Sequence, residues 1–285
     1  MKNIIKCIKK LLYVWWFEFR CILFSSRFLV LSLVSFLLVH FYMEETLKFA
    51  EEYDLAMYPA AISFLFADGT FACLGILLVI FMLSVFPVTN HLQQNVLIQS
   101  GSRIWCSAQM FTIVSVVLVW LVELQLFILI LIGDKMDFSG WGKVWGSCAN
   151  GTAREFGYLG AFSVPREVLM SYQPGDALFL SLLFVFLMGV LFGEFIFFID
   201  SICNHAVGEI LLSAWSFCYL IVANFQQLQG VWILQKLSPK NWLDITRYAG
   251  YPEGVREAVV IMSGLIVLFF ILNQFIVKKK IVMIK

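Results

Sequence analysis

Long apolar segments alternate with short polar segments along the whole chain. Six of the apolar segments span residues 22–42, 71–88, 108–132, 177–199, 207–226 and 258–277. About 20 residues of α-helix cross the ~30 Å of hydrocarbon in a bilayer. Because lipid offers the backbone no hydrogen-bond partner, continuous apolar segments of this length favour helices, whereas barrel strands are shorter and alternate. The pattern therefore predicts an all-α membrane protein with six transmembrane helices.

Residues 1–21 carry apolar and basic residues on opposite sides of a helix. The apolar residues are Ile4, Ile8, Leu11, Trp15 and Phe19, and the basic residues are Lys2, Lys6, Lys9 and Lys10. This pattern predicts an amphipathic helix in the membrane interface, with its lysines at anionic headgroups. Such a helix is either a surface anchor or a lever that moves with the first transmembrane helix.

Three further segments are too short to cross a bilayer. Residues 60–66 are apolar, begin after a proline and end before Asp68 and Gly69, which predicts an interfacial or re-entrant helix on the outer side. Residues 141–146 and 238–242 mix aromatic residues with glycine or proline. We expect these two segments to form short outer helices that pack over the membrane portion.

Charged residues divide the predicted loops into two sides. Six basic residues and one acid occupy residues 1–27, and Lys278, Lys279, Lys280 and Lys285 lie at the C-terminal end. The first predicted loop instead holds six acids and one lysine. Since cytoplasmic loops are enriched in Lys and Arg, both termini are expected in the cytoplasm. An even number of crossings agrees with this topology.

Composition excludes several classes of protein. With 61% hydrophobic and 14% charged residues, the chain is far from the balance of a water-soluble domain. The seven cysteines include no CxxC pair, and no phosphate-binding GxxxxGK[ST] motif occurs. We therefore expect no catalytic residue, metal or cofactor in this chain. No linker or repeat divides residues 1–285, which predicts one domain.

Two acids lie inside predicted transmembrane segments. Glu123 is near the middle of the third and Glu194 is deep in the fourth. A carboxylate at mid-bilayer costs about 2.5 to 3.5 kcal/mol, so each must face protein or water. Either acid lies on a substrate path or in an ion relay, or it makes an interhelical hydrogen bond to a neighbour such as Gln125 or a serine.

The predicted cytoplasmic loop before the third helix contains Gly101-Ser102-Arg103, followed by Trp105 and Gln109. This segment resembles the short Gly-Ser-Arg segment that enters the third helix in bacterial ABC-2-type transporter permeases. Residues 172–177 and 237–242 resemble the outer loops of that family. The basic interfacial helix, the six crossings and the cytoplasmic ends are similar to the family along the whole chain.

The resemblance implies a single permease domain in a bacterial plasma membrane, which pairs with an identical or homologous second permease. In that family the first cytoplasmic loop forms a coupling helix that docks on a separate ABC ATPase subunit, where ATP and Mg are bound. The docking residues would be Asn90, Gln93, Gln94, Gln99, Ser102, Arg103 and Trp105. A second docking loop would contain Asp200, His205 and Glu209. Arg103 has an alternative role as a snorkelling cation at the headgroup layer.

Two other functions remain open at this point. A secondary carrier or channel would use Glu123 and Glu194 without nucleotide. A membrane-embedded immunity or scaffold subunit would transport nothing. For the permease, the expected activity is export of a peptide, lipid or drug, and no nucleic acid partner is expected.

Overall fold

The chain folds as a bundle of α-helices. A computed structural model describes residues 2–88, 91–203, 206–224 and 238–284. The helices are α1 (Lys2–Leu23), α2 (Ser26–Glu52), α3 (Ala61–Leu65), α4 (Gly69–Leu83), α5 (His91–Ser100), α6 (Ser102–Ile132), α7 (Gly142–Asn150), α8 (Thr152–Glu155), α9 (Arg166–Ser171), α10 (Pro174–Ile202), α11 (Val207–Asn224), α12 (Pro239–Leu243) and α13 (Pro252–Ile284). Two 3₁₀ turns, Gly133–Lys135 and Ile245–Tyr248, complete the helical structure of these residues.

Four helices of the described residues are long and apolar enough to cross a bilayer: α2, α6, α10 and α13. They correspond to the first, third, fourth and sixth predicted segments, and they agree with a multi-pass membrane protein. The second and fifth segments form the shorter apolar helices α4 and α11. The 15 residues of α4 cover only about 22 Å at 1.5 Å per residue.

The first span begins later and ends later than the sequence pattern predicts. Ile22 belongs to α1, and α2 starts only after Ser25, whose hydroxyl accepts a hydrogen bond from the Phe28 N–H at 3.2 Å. This N-cap satisfies a main-chain donor that the first helical turn leaves unpaired. At the other end α2 continues to Glu52, ten residues beyond the predicted boundary, because the charged residues there are good helix formers.

The short helices gather at one end of the bundle, here called the α7 end, which comprises α3, α7, α8, α9 and α12. The Met57 N–H donates to the Lys135 carbonyl oxygen at 2.9 Å, and the Trp145 indole N–H donates to the Tyr58 carbonyl oxygen at 2.7 Å. Helices α3, α7 and α12 confirm the three short helices predicted from sequence. Every residue of α3 is buried, so this helix is inserted among the others.

The opposite end of the bundle, here called the α5 end, comprises α5, the connection 84–88 and the turn between α10 and α11. At this end the Arg27 guanidinium donates to the Ser84 hydroxyl at 2.9 Å, which joins the start of α2 to the end of α4. Lys10 of α1 lies 3.5 Å from the Gln99 carbonyl oxygen of α5. The predicted cytoplasmic loops therefore share one end of the bundle.

Helix α1 packs against the protein on one face and leaves a second apolar face exposed, whereas the sequence predicts a single apolar stripe. Val14, Glu18 and Ile22 are buried against the bundle, chiefly along α6. Ile8 and Trp16 are about half exposed, on the part of the helix surface that the rest of the protein leaves uncovered. Of the apolar stripe predicted to face lipid, Ile8 is therefore exposed, whereas Trp15 and Phe19 pack against the protein core.

Helices α6 and α10 approach closely because α10 carries glycines where they meet. A Cβ atom at Gly193 would lie 2.4 Å from Ile113 Cγ2, and one at Gly189 would lie 2.8 Å from Val117 Cγ1. Small residues allow this approach, which maximises van der Waals contact where lipid provides no hydrophobic driving force between helices.

We expect Gly193→Ala to destabilise the bundle by about 1 to 3 kcal/mol, since the added methyl overlaps Ile113. The measurement is thermal unfolding of the purified protein in mild detergent. Gly264→Ala in α13 is the matched control, because nothing lies within 4 Å of its added Cβ atom. Equal melting temperatures for the two variants would contradict the close α6–α10 contact.

Candidate functional site

The predicted docking segment is a separate helix joined to α6 by one glycine. Helix α5 ends at Ser100, and Gly101 adopts φ +86°, a left-handed conformation that residues with a Cβ atom rarely adopt. The Trp105 N–H returns to the Gly101 carbonyl oxygen at 3.1 Å, so α6 is a regular helix from its first turn. Gly101 therefore sets the orientation of α5 on the end of α6.

The docking residues differ in exposure. Gln99 and Arg103 are exposed, and Ser102 is half-buried. Trp105 instead lies inside the bundle, with its ring centroid 6.0 Å from that of Phe197 in α10. Its predicted place on a docking surface is wrong, because the side chain points toward the core. Asn90 and the side chains of Gln93 and Gln94 lie outside the described residues.

The second predicted docking loop is organised around a buried acid. Asp200 Oδ1 accepts a hydrogen bond from the Gly208 N–H at 2.8 Å, and its side chain also hydrogen-bonds Glu209. A Cβ atom at Gly208 would lie 3.0 Å from the Ile196 Cα atom, so only glycine lets α11 approach α10 here. Asp200 thus braces the helical turn and does not present a surface. His205 lies outside the described residues.

Glu123 makes the interhelical hydrogen bond that the sequence allowed as an alternative to a substrate path. The Ser32 hydroxyl of α2 donates to Glu123 Oε2 at 2.7 Å. Gln125 is not its partner, because that carboxamide donates to the Pro59 carbonyl oxygen at 2.9 Å. The half-buried carboxyl of Glu123 therefore joins α2 to α6 through a hydrogen bond.

Glu194 occupies the interior where α6, α10 and α13 meet. It is 2% exposed, and the Asn273 carboxamide donates to its main-chain oxygen at 3.2 Å. Met110 lies within 3.9 Å of the same carboxamide nitrogen. Among the described residues, Glu194 Oε2 and Asn273 Oδ1 have no hydrogen-bond partner. In this conformation the carboxyl is enclosed by protein and does not face an open path.

A third buried acid, Glu18, was not predicted as a site. It is fully buried between α1 and α6, and its Oε1 atom accepts from the Gln109 carboxamide at 2.8 Å. Burial raises the pKa of Glu18 to about 8, although the hydrogen bond from Gln109 acts in the opposite direction. The nearby Thr112 hydroxyl donates to the Ala108 carbonyl oxygen, and Glu18 Oε2 has no hydrogen-bond partner among the described residues. The sequence does indicate this burial. Leu11, Val14, Glu18 and Ile22 recur on one helical face, so the acid lies inside an apolar stripe.

Metal coordination has no support in the described residues, since no three His, Cys, Asp or Glu side chains come together there. The polar groups of the interior are instead arranged as pairs between helices. Gln274 of α13 donates to the Ser107 hydroxyl of α6 at 2.9 Å, and the Trp120 indole N–H donates to the Ser35 hydroxyl of α2 at 3.1 Å. This arrangement fixes α13 and α2 in position against α6.

No family model matches the chain, and comparison with curated proteins and with solved structures likewise gives no match. Inference about function therefore depends on the site and on the sequence pattern.

Substitutions at Ser32 and Glu123 separate a structural role from a role in transport. Ser32→Ala is expected to lower the free energy of unfolding by about 1 to 2 kcal/mol, because the carboxyl loses its partner. Glu123→Gln retains an acceptor for the serine and is expected to unfold close to wild type. Thermal unfolding in detergent measures both. A Glu123→Gln variant that is less stable than Ser32→Ala would contradict the hydrogen-bond role.

Proposed function

We propose that this chain is the permease subunit of an ATP-binding-cassette transporter whose ATPase is a separate protein. The observation that carries the proposal is the helix α5 at one end of the bundle, joined through Gly101 to α6, with Gln99 and Arg103 exposed beside the joint. In the ABC-2-type permeases that the sequence resembles, the corresponding loop forms the helix that docks on the ATPase.

Helix α6 is placed to pass a displacement of α5 to several other helices. It is 31 residues long and contacts α1, α2, α10 and α13. Because α5 joins α6 through a single residue, a displacement of α5 acts directly on the end of a rigid element. From α6 the displacement reaches three other long apolar helices.

The proposed mechanism requires two permeases and two ATPase subunits. ATP and Mg bind only to the ATPases, and ATP favours their closed arrangement. A ligand shifts two states only through its different affinity for them, so ATP must bind the closed arrangement more tightly. The docked α5 helices pass this closure to the membrane helices, and the cargo crosses between the two permeases. The class of cargo is a peptide, a lipid or a drug, which is exported from a bacterial cell.

The proposed topology has six crossings and both termini in the cytoplasm. Alternation of the helices between the two ends of the bundle supports it, since α4 and α11 each lead from one end to the other. In this topology the α5 end faces the cytoplasm, where Lys6, Lys9 and Arg103 are exposed to solvent and headgroups. The α7 end faces outward.

A carrier or channel that uses Glu194 is the second candidate. The unpartnered Glu194 Oε2 and Asn273 Oδ1 atoms favour it, since buried polar atoms without partners in a membrane protein mark ion or proton sites. Flux driven by a proton gradient without nucleotide distinguishes this function from the proposed one.

Cysteine labelling tests the topology with probes that the chain already contains. Cys203 is exposed at the α5 end, and Met170→Cys introduces an exposed thiol at the α7 end. The background lacks Cys7, Cys21, Cys148 and Cys218 and keeps the buried Cys73 and Cys106. In intact cells a membrane-impermeant maleimide should label Met170→Cys and leave Cys203 unlabelled until the membrane is permeabilised. Labelling of Cys203 in intact cells would contradict the proposed topology and indicate the opposite orientation.

Charge reversal at Arg103 tests the docking surface. The complex purified from its native membrane should contain an ATPase subunit with a phosphate-binding loop and should hydrolyse ATP. Arg103→Glu is expected to lower the co-purified ATPase several-fold, because the exposed cation is beside the docking helix. Arg154→Glu, exposed at the opposite end, is the matched control and should have no effect. ATP hydrolysis by the isolated permease chain would contradict the proposal that the ATPase is a separate protein.

A further inference from the structure

Helix α1 is fixed to the rest of the protein by polar contacts in addition to its apolar face. The Trp15 indole N–H donates to the Ser115 hydroxyl of α6 at 3.0 Å. Glu18 accepts from Gln109, also of α6, at 2.8 Å. Of these contacts only the Glu18–Gln109 bond joins two fully buried side chains. Water therefore cannot replace the Glu18–Gln109 hydrogen bond while α1 stays packed on α6.

Gln109 uses both ends of its carboxamide. Its nitrogen donates to Glu18, and its oxygen accepts from the Val88 N–H at 3.2 Å. The opposite orientation of the carboxamide would face two donors toward each other at Val88 and lose both bonds, so the assignment is fixed by the network. Val88 lies in the connection 84–88 that leads from α4 toward α5. One side chain thus ties α1 to the segment before the docking helix.

The surroundings of the Glu18 carboxyl contain no compensating cation among the described residues. The groups facing it are the Gln109 carboxamide and the Thr112 hydroxyl, both on α6. On the other helices packed against α1, Arg27 of α2 is bonded to Ser84, and Lys10 of α1 itself reaches toward Gln99 of α5. Arg103 of α6 is exposed. An ionised carboxylate between α1 and α6 would be desolvated and unpaired, which is strongly unfavourable.

We propose that Glu18 is a proton-dependent latch: protonated, it holds α1 on α6 and fixes the connection 84–88 through Gln109, and ionised, it releases both. The effect on ATPase docking rests on the proposed function, whereas the latch itself is a property of this chain alone. Regulation of docking would follow because the connection 84–88 sets where α5 begins.

The direction of the pH dependence follows from the two states of the carboxyl. Burial in the docked state raises the pKa of Glu18 from 4.5 to about 8. Between these values the docked state holds one more proton than the released state, so the released population rises about tenfold per pH unit. Above about pH 8 both states are ionised and the ratio becomes constant. The latch is therefore strongest in acid and weakest above pH 8.

A single-cysteine probe measures release of α1. Val14→Cys places a thiol on the buried face of α1, and the exposed Cys7 of the same helix, as the sole cysteine in a second protein, is the matched control. Maleimide labelling of the purified protein in nanodiscs of neutral lipid, divided by the Cys7 rate, should rise more than tenfold between pH 6 and pH 8. In Glu18→Gln the same ratio should stay low and independent of pH. Identical pH profiles with and without Glu18 would overturn the proposal.

Hydrogen–deuterium exchange at the Val88 amide measures the bridge through Gln109. In wild type, protection of this amide should decrease over the same pH range as labelling at Val14→Cys increases. Glu18→Gln should keep Val88 protected at every pH, and Gln109→Met should leave it unprotected at every pH. An amide whose protection is unchanged by Gln109→Met would overturn the link to the connection 84–88.

Both measurements use the permease chain without an ATPase, so failure of the proposed function leaves their expected results unchanged. The docking consequence is tested separately, by ATPase co-purification at pH 6.5 and pH 8.5. Wild type should bind the ATPase differently at the two pH values, and Glu18→Gln should bind it equally. Equal binding by wild type, in a sample where α1 release is measured, would overturn the regulatory part of the proposal.

Discussion

Polar groups buried in a membrane protein must find partners inside the protein, and α6 meets this constraint for most of the bundle. Its side chains make hydrogen bonds to three other long helices: Ser107 to α13, Gln109 and Ser115 to α1, and Trp120 and Glu123 to α2. Each bond is costly to leave unmade where water is absent, so each fixes the rotation and height of a neighbouring helix against α6. The bundle is thus aligned on α6 by polar contacts and held together by close packing against α10.

This alignment explains why the amphipathic helix α1 contributes to the interior. The apolar stripe of α1 is interrupted by Glu18, and the acid is tolerated because α6 presents Gln109 and Thr112 at the matching height. Lys6, Lys9 and Lys10 of α1 remain exposed. Helix α1 therefore combines exposed lysines with a face that packs into the protein core.

The sequence predicted the features that depend on hydropathy alone, namely the all-helical class, the four long spans and the short helices α3, α7 and α12. It did not predict boundaries that depend on a single hydrogen bond, as at Ser25. It did not predict the partner of Glu123 either, since Ser32 is 91 positions away along the chain. Trp105 and Asp200 were misplaced on surfaces because the direction of a side chain depends on packing between helices, which periodicity does not contain. Glu18 was overlooked because it was counted only as the single acid of a basic segment, although it lies between two phenylalanines in sequence and its neighbours in space are polar and uncharged.

The interruption between α3 and α4 has a consequence for the direction of α4. Residues 66–68 separate two helical pieces, and Asp68 caps the second piece by accepting from the Phe71 N–H at 2.8 Å. The Phe66 N–H donates to the Ile62 carbonyl oxygen and the Asp68 N–H donates to the Phe64 carbonyl oxygen, both at 3.1 Å, so these main-chain groups stay bonded. Asp68 itself adopts an extended conformation with ψ 130°, and the chain changes direction there. Non-helical backbone is tolerated at such depth only under a protein cover, which the fully buried Phe64 and Phe66 help to provide. Helix α4 is therefore not bound to the direction of α3, and the packing of α2, α10 and α11 against it sets its tilt in the bundle.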